Sequence, residues 1–191
     1  MMVKRFGILV ALCALFPLLP ACVPLAVTGA GAAALMATDR RTTGVYVEDQ
    51  NIELKALGVL HGYSTAHVNA TSYNLTVLLT GEVPDEKVKK QIVDGVRAVP
   101  SVKNVVDQTQ LAGASSLASR GNDSLITSNV KARMLNNKVF NATQVKVVTE
   151  AGVVYLMGLV TRAEGDEAVF VTRNTSGVSR VVPLFEYIAA S

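Results

Sequence analysis

The chain has 191 residues, a formal charge of +3, no Trp and few other aromatics. That length allows one or two domains. Two of the positive charges, Lys4 and Arg5, sit at the extreme N-terminus, so the rest of the side chains sum to 3 − 2 = +1, which gives neither the basic stripe nor the stacking platform that nucleic-acid binding requires.

Lys4 and Arg5 are followed by an almost wholly apolar run from Phe6 to Leu19, the charged-then-apolar layout of a secretory signal. The run is short for a spanning helix, which needs about 20 apolar residues, and Pro17 and Pro20 interrupt its end. Removing it discards Cys13 and leaves Cys22 as the single cysteine. A disulfide within the mature chain is then excluded, and a lone thiol in an exported protein is expected to be paired between chains or otherwise used. Leu19-Pro20-Ala21-Cys22 resembles the lipobox of bacterial lipoproteins. That resemblance implies a signal peptide over residues 1–21, and lipid attachment at Cys22 through a diacylglycerol on the sulfur and an acyl chain on the amine. Val23, in place of the Asp that retains lipoproteins at the inner membrane, implies delivery to the outer membrane. Three acyl chains exceed the two signals needed for stable anchoring.

Residues 22–44 read as the lipidated N-terminus and a tether: Ala26 to Ala37 is small, apolar and aperiodic, and Asp39-Arg40-Arg41-Thr42-Thr43-Gly44 marks the approach to the folded part. Two similar segments follow, over 45–112 and 121–191. Val77–Val83 (VLLTGEV) corresponds to Val154–Val160 (VYLMGLV), Val102–Val106 to Val178–Val182, and Asp49 and Ile52 to Asp123 and Ile126. A tandem duplication explains these matches. Residues 113–120 lie in a Gly- and Ser-rich stretch read as a short flexible linker, with the two copies close together.

Each copy opens with an amphipathic helix, marked by Ile52, Ala56 and Leu60 in the first and by Ile126, Val130 and Met134 in the second. Asn122 and Asp123 are expected to cap the second. Two strands come next, in copy two near Gln144–Thr149 and Val153–Gly158 with a turn at Glu150-Ala151-Gly152. A second helix follows, with Pro84 in its first turn, Asp85 and Glu86 complementing the dipole, and Val88, Ile92, Val96 and Val99 as its apolar stripe. A last strand closes the unit. The predicted fold class is α+β: two domains, each helix-strand-strand-helix-strand, with both helices on one face of a small mixed sheet.

Motifs for chemistry are few. His61 and His67, the only histidines, are six residues apart and do not share the face of a helical zinc pair, so they are read as surface-loop residues. No GxSxG elbow or glycine-rich loop with a following lysine is present. The adjacent acids Asp85–Glu86 and Asp166–Glu167 are read as helix-capping groups. No catalytic residue, cofactor or metal is expected.

The strand–glycine runs VLLTGEVPD and VYLMGLVT, with the closing VKNVV and SGVSRVV, resemble the BON domain of bacterial periplasmic and outer-membrane proteins. Two such domains behind a lipobox are similar to the dual-BON outer-membrane lipoproteins, a likeness that DRRTTG and NDSLITSNVKARML extend. It implies a non-enzymatic protein on the periplasmic side of the outer membrane, binding anionic phospholipid and supporting envelope integrity, with a link to division sites and other envelope proteins as partners. The candidate contact is the opening helix of copy two, where Leu125 and Asn129 lie beside Lys131 and Arg133: an apolar residue among cations suits anionic headgroups. The alternative at Leu125 is a hydrophobic staple on its own helix, with the bases merely solvated. Alternatives for the whole chain are a membrane-active, haemolysin-like factor and a protein-interaction scaffold.

Overall fold

A computed structural model of the protein describes residues 39–190. The proposed signal peptide, Cys22 and most of the tether lie outside the described residues. The elements are α1 (Thr43–Leu60), β1 (His67–Tyr73), β2 (Thr76–Val83), α2 (Glu86–Arg97), β3 (Asn104–Asp107) and β4 (Gln110–Leu111), then α3 (Leu117–Leu135), a short 3₁₀ turn (Ala142–Gln144), β5 (Val145–Glu150), β6 (Val153–Val160), α4 (Arg162–Arg173) and β7 (Arg180–Tyr187). In each half a hairpin is followed by a helix that crosses back to lay a parallel strand beside the hairpin's second strand. The α+β fold of two helix-strand-strand-helix-strand repeats is the one the sequence predicts.

Alternation along the central strands shows why they read as continuous apolar runs. Val77, Leu79 and Val83 of β2 pack with Ile52 and Ala56 of α1 and Ile92 and Val96 of α2. Val154, Leu156 and Val160 of β6 pack with Ile126, Val130 and Met134 of α3 and Ala168 and Val171 of α4. The intervening residues form a third core: Tyr73 and Leu78 from the first sheet meet Val153, Tyr155 and Met157 from the second. The two sheets therefore pack face to face with the helices outside. Strands buried on both faces carry no polar alternation.

Three local expectations are corrected. Ser116 caps α3, its hydroxyl accepting from the Ser119 amide, so the helix begins at Leu117 and runs through Gly121 and Asn122. Leu117–Arg120, assigned to the linker, are helical, and Asp123 is an interior residue. Asp85 is the cap of α2, accepting from the Val88 amide, which leaves Pro84 outside the first turn. At α4 the cap is Thr161, in a reciprocal capping box with Glu164. Asp166 and Glu167 are not cap residues there, and Glu167 accepts from the Asn137 amide group.

Gly81 and Gly158 are the glycines shared by the two repeats. Gly81 has φ +109°, and a Cβ there would stand 2.0 Å from the His67 carbonyl oxygen. At Gly158 a Cβ would stand 2.7 Å from the Gln144 carbonyl. In both hairpins a side chain on the second strand would collide with backbone at the start of the first.

Candidate functional site

The exposed side of α3 is built by its buried side. Ile126, Val130 and Met134 recur every four residues and are at most 2% exposed, which fixes the helix against its sheet and turns the remaining positions outward. Leu125, Asn129 and Arg133 follow one ridge at i, i+4 and i+8, all exposed. At about 100° per residue, Lys131 lies roughly 120° around the helix from Leu125. Lys131 thus lies well away from the ridge, on the other side of the exposed arc. Leu125 is 65% exposed, which rules out a staple packed on its own helix. Leu117 and Leu135 are also open on α3, and Val139 and Phe170 on the following segments. Periodicity does not mark these four residues, because Leu117, Leu135 and Phe170 fall off the apolar stripes of their helices and Val139 lies in a loop.

Charge distinguishes this helix from its counterpart. The single acid of α3 is Asp123, 6% exposed, with its two carboxylate oxygens accepting from the Ala151 and Gly152 amides at 2.9 and 2.8 Å. The accessible charges of α3 are therefore Arg120, Lys131 and Arg133. On α1, which carries the exposed leucines Leu54 and Leu57, the charges are Glu48, Lys55 and a Glu53 that is paired with Lys146 at 2.7 Å, besides the buried Asp49. An anionic surface is attracted to the first arrangement and gains no net attraction from the second.

The carboxylate equivalent to Asp123 is Asp49, fully buried on α1. It accepts from the Ser72 hydroxyl and from the Asn74 and Leu75 amides, whose residues turn the hairpin at positive φ. Arg41 reaches it at 2.8 Å, pairs also with Asp39, and lies over the rings of Tyr73 and Tyr46 at 4.1 and 4.9 Å. Its neighbour Arg40 turns to the second domain, donating to Glu164 at 2.6 and 2.8 Å and to the Leu159 carbonyl. Hydrogen bonding from Arg40 lowers the Glu164 pKa to about 2. DRRTTG thus locks the first hairpin and crosses to the second domain.

His67 overturns its surface-loop reading. It opens β1 and pairs across the hairpin with Glu82, its Nδ1 lying 2.9 Å from the Glu82 carboxylate. His61 is the exposed C-cap of α1. None of the helices among the described residues is long and apolar enough to cross a membrane.

Comparison with known proteins accords with this architecture. The BON domain family matches residues 48–113 and 122–189. The chain is 34% identical over 174 residues to outer membrane lipoprotein DolP of Haemophilus influenzae, covering 89% of this chain and 90% of that one. It is 31% identical to the 21 kDa hemolysin of Actinobacillus pleuropneumoniae, over 78% of this chain and 79% of the other. Identity to osmotically-inducible protein Y of Escherichia coli is 26%, over 72% of each. The chain belongs to the BON-domain family, as an outer-membrane lipoprotein with two BON domains of the DolP type.

Proposed function

We propose that the protein is held at Cys22 by its acyl chains on the periplasmic side of the outer membrane, and that α3 of its second BON domain binds anionic phospholipid without catalysis. The observation that carries this reading is the outer side of α3: Leu125 stands open on a ridge with Asn129 and Arg133, Lys131 is exposed farther around the helix, and the helix's one acid is turned inward. Each cation near an anionic surface contributes about 1 kcal/mol, so α3 alone binds weakly. Tethering offsets this by raising the local lipid concentration. A lipid-reading module fixed to the membrane would support envelope integrity, and recruitment to lipid-distinct regions such as division sites follows from the same chemistry.

Vesicle flotation tests the lipid step. The compact unit from Thr38 to Ser191 should float with phosphatidylglycerol vesicles and not with phosphatidylcholine vesicles, and Leu125→Glu should abolish the difference. Unchanged flotation of the variant would remove α3 from the mechanism. The intact mass of the native N-terminus tests the anchor: a chain that begins elsewhere than Cys22, or bears an unmodified cysteine there, contradicts it. The relative named as a hemolysin motivates one further readout. Binding without leakage of vesicle contents supports a stabilising role, and leakage supports a membrane-active one.

A further inference from the structure

The face of β2 that meets the second sheet is apolar at Leu78 and becomes polar at Thr80 and Glu82. At that end of the interface His67 and Glu82 of the first domain approach Glu150, the last residue of β5 in the second. One ligand atom from each of the three lies within 4.8 Å of the others. We propose that His67, Glu82 and Glu150 form a divalent transition-metal site, best suited to zinc, that clamps the two BON domains together.

Donor chemistry supports a metal. One imidazole nitrogen and two carboxylates are a nitrogen–oxygen set, and three protein donors leave at least one position for water. Donors bound to one zinc ion at about 2.0–2.2 Å stand roughly 3–4 Å apart. The 2.9 Å separation of His67 Nδ1 and Glu82 Oε2 falls close to this already. The Glu150 ligand atom lies within 4.8 Å of the other two, so closing on one ion requires only a small side-chain movement.

The carboxylates are also positioned by neighbours. Glu82 Oε2 accepts from the Ser115 amide at 3.1 Å, and Glu150 Oε2 accepts from the Asn69 side-chain amide at 3.2 Å. Arg120 also lines the cavity beside the site, its guanidinium held by the Ser115 carbonyl and hydroxyl. A divalent ion would neutralise the two carboxylates together. A cavity of about 390 Å³ adjoins the site, with His67, Asn69 and Glu150 on its wall together with Arg120 and Asp123, and gives water access to it.

Binding would join three parts of the chain: the first hairpin, the connector at Ser115 and the second hairpin. Since the native fold assembles the ligands and the unfolded chain does not, ion binding should stabilise the folded state.

Isothermal titration of zinc chloride into the full mature lipoprotein in detergent tests the proposal. One ion per chain should bind and raise the Tm. His67→Ala and Glu150→Gln should each weaken binding by more than about tenfold, while His61→Ala leaves it unchanged. Glu150→Gln keeps the Asn69 hydrogen bond available, so a folded variant is expected even if the histidine substitution disturbs β1. Absence of one-to-one zinc binding to the parent chain, or equal affinity in Glu150→Gln, would overturn the site.

Discussion

The two domains repeat one plan but stabilise it differently. Both place a carboxylate on the opening helix beneath the turn of the following hairpin. In the first domain Asp49 is fully buried, takes three hydrogen bonds from the hairpin and is neutralised by Arg41. In the second, Asp123 takes two amide hydrogen bonds. The closing strands differ in the opposite sense. Parallel pairing of β6 with β7 runs through eight residues, Arg180 to Tyr187. The corresponding edge of the first sheet is divided into β3 and β4, with Asp107 accepting from the Thr109 amide and hydroxyl at the break. The first domain thus relies more on a buried ionic network and the second on longer backbone pairing. Independently of this, α3 has no counterpart of Glu48 and Glu53, so the repeat presents a cationic helix in one copy and a mixed-charge helix in the other.

Substitutions at equivalent positions separate the two halves. Gly81→Ala should be the most damaging pair member, by about 3 kcal/mol or more, because positive φ and a backbone clash act together. Gly158→Ala meets only the clash, and should cost about 1–3 kcal/mol. Urea unfolding of both variants provides the comparison. Asp49→Ala should lower stability by about 2–4 kcal/mol, since it leaves two turn amides unsatisfied and deprives the buried Arg41 guanidinium of one of its two carboxylates, Asp39 remaining. Asp123→Ala should cost about 1–3 kcal/mol, the penalty for unsatisfied amides without an abandoned charge. Equal losses would show that Arg41 adds nothing to the first hairpin.

On the outer faces, Lys131→Glu with Arg133→Glu should weaken vesicle binding by at least about 2 kcal/mol at low salt, about 30-fold, with a smaller effect as salt rises. Leu54→Glu on α1 should leave binding unchanged, which flotation of the same vesicles would check.

The smallest effect concerns the crossing arginine. The folded Glu164 pKa of about 2 lies below its ordinary value of 4.5. Its contribution is therefore complete above pH 4.5 and is lost as pH falls from about 4.5 toward 2. Arg40→Ala should cost about 1–2 kcal/mol at neutral pH. It should also flatten the acid limb of a stability–pH curve in that window. A curve with the same slope in both proteins would assign the acid sensitivity to other groups.

Periodicity disclosed the duplicated fold because the stripes Ile52–Ala56 and Ile126–Val130–Met134 are local signals of burial. It also brought Asp49 and Asp123 into correspondence, but their task depends on hairpins more than twenty residues away. Asn122 and Asp123 read as a helix start for the same reason: local preference for a cap is overridden by Ser116 and by a tertiary use for Asp123. His67 was unreadable because its partners arrive from β2 and from the other domain. In the candidate lipid face, sequence located Leu125, Asn129, Lys131 and Arg133, and the fold separates Lys131 from the ridge formed by the other three. The inward turn of the only acid on α3 became visible only with the second hairpin in place.

Photo-crosslinking from position 125 of the acylated protein in outer-membrane vesicles most directly tests the central claim that α3 touches lipid. The account predicts adducts with anionic phospholipid from position 125 and none from position 54 on α1. Adducts from 54 alone, or from neither position, would contradict it.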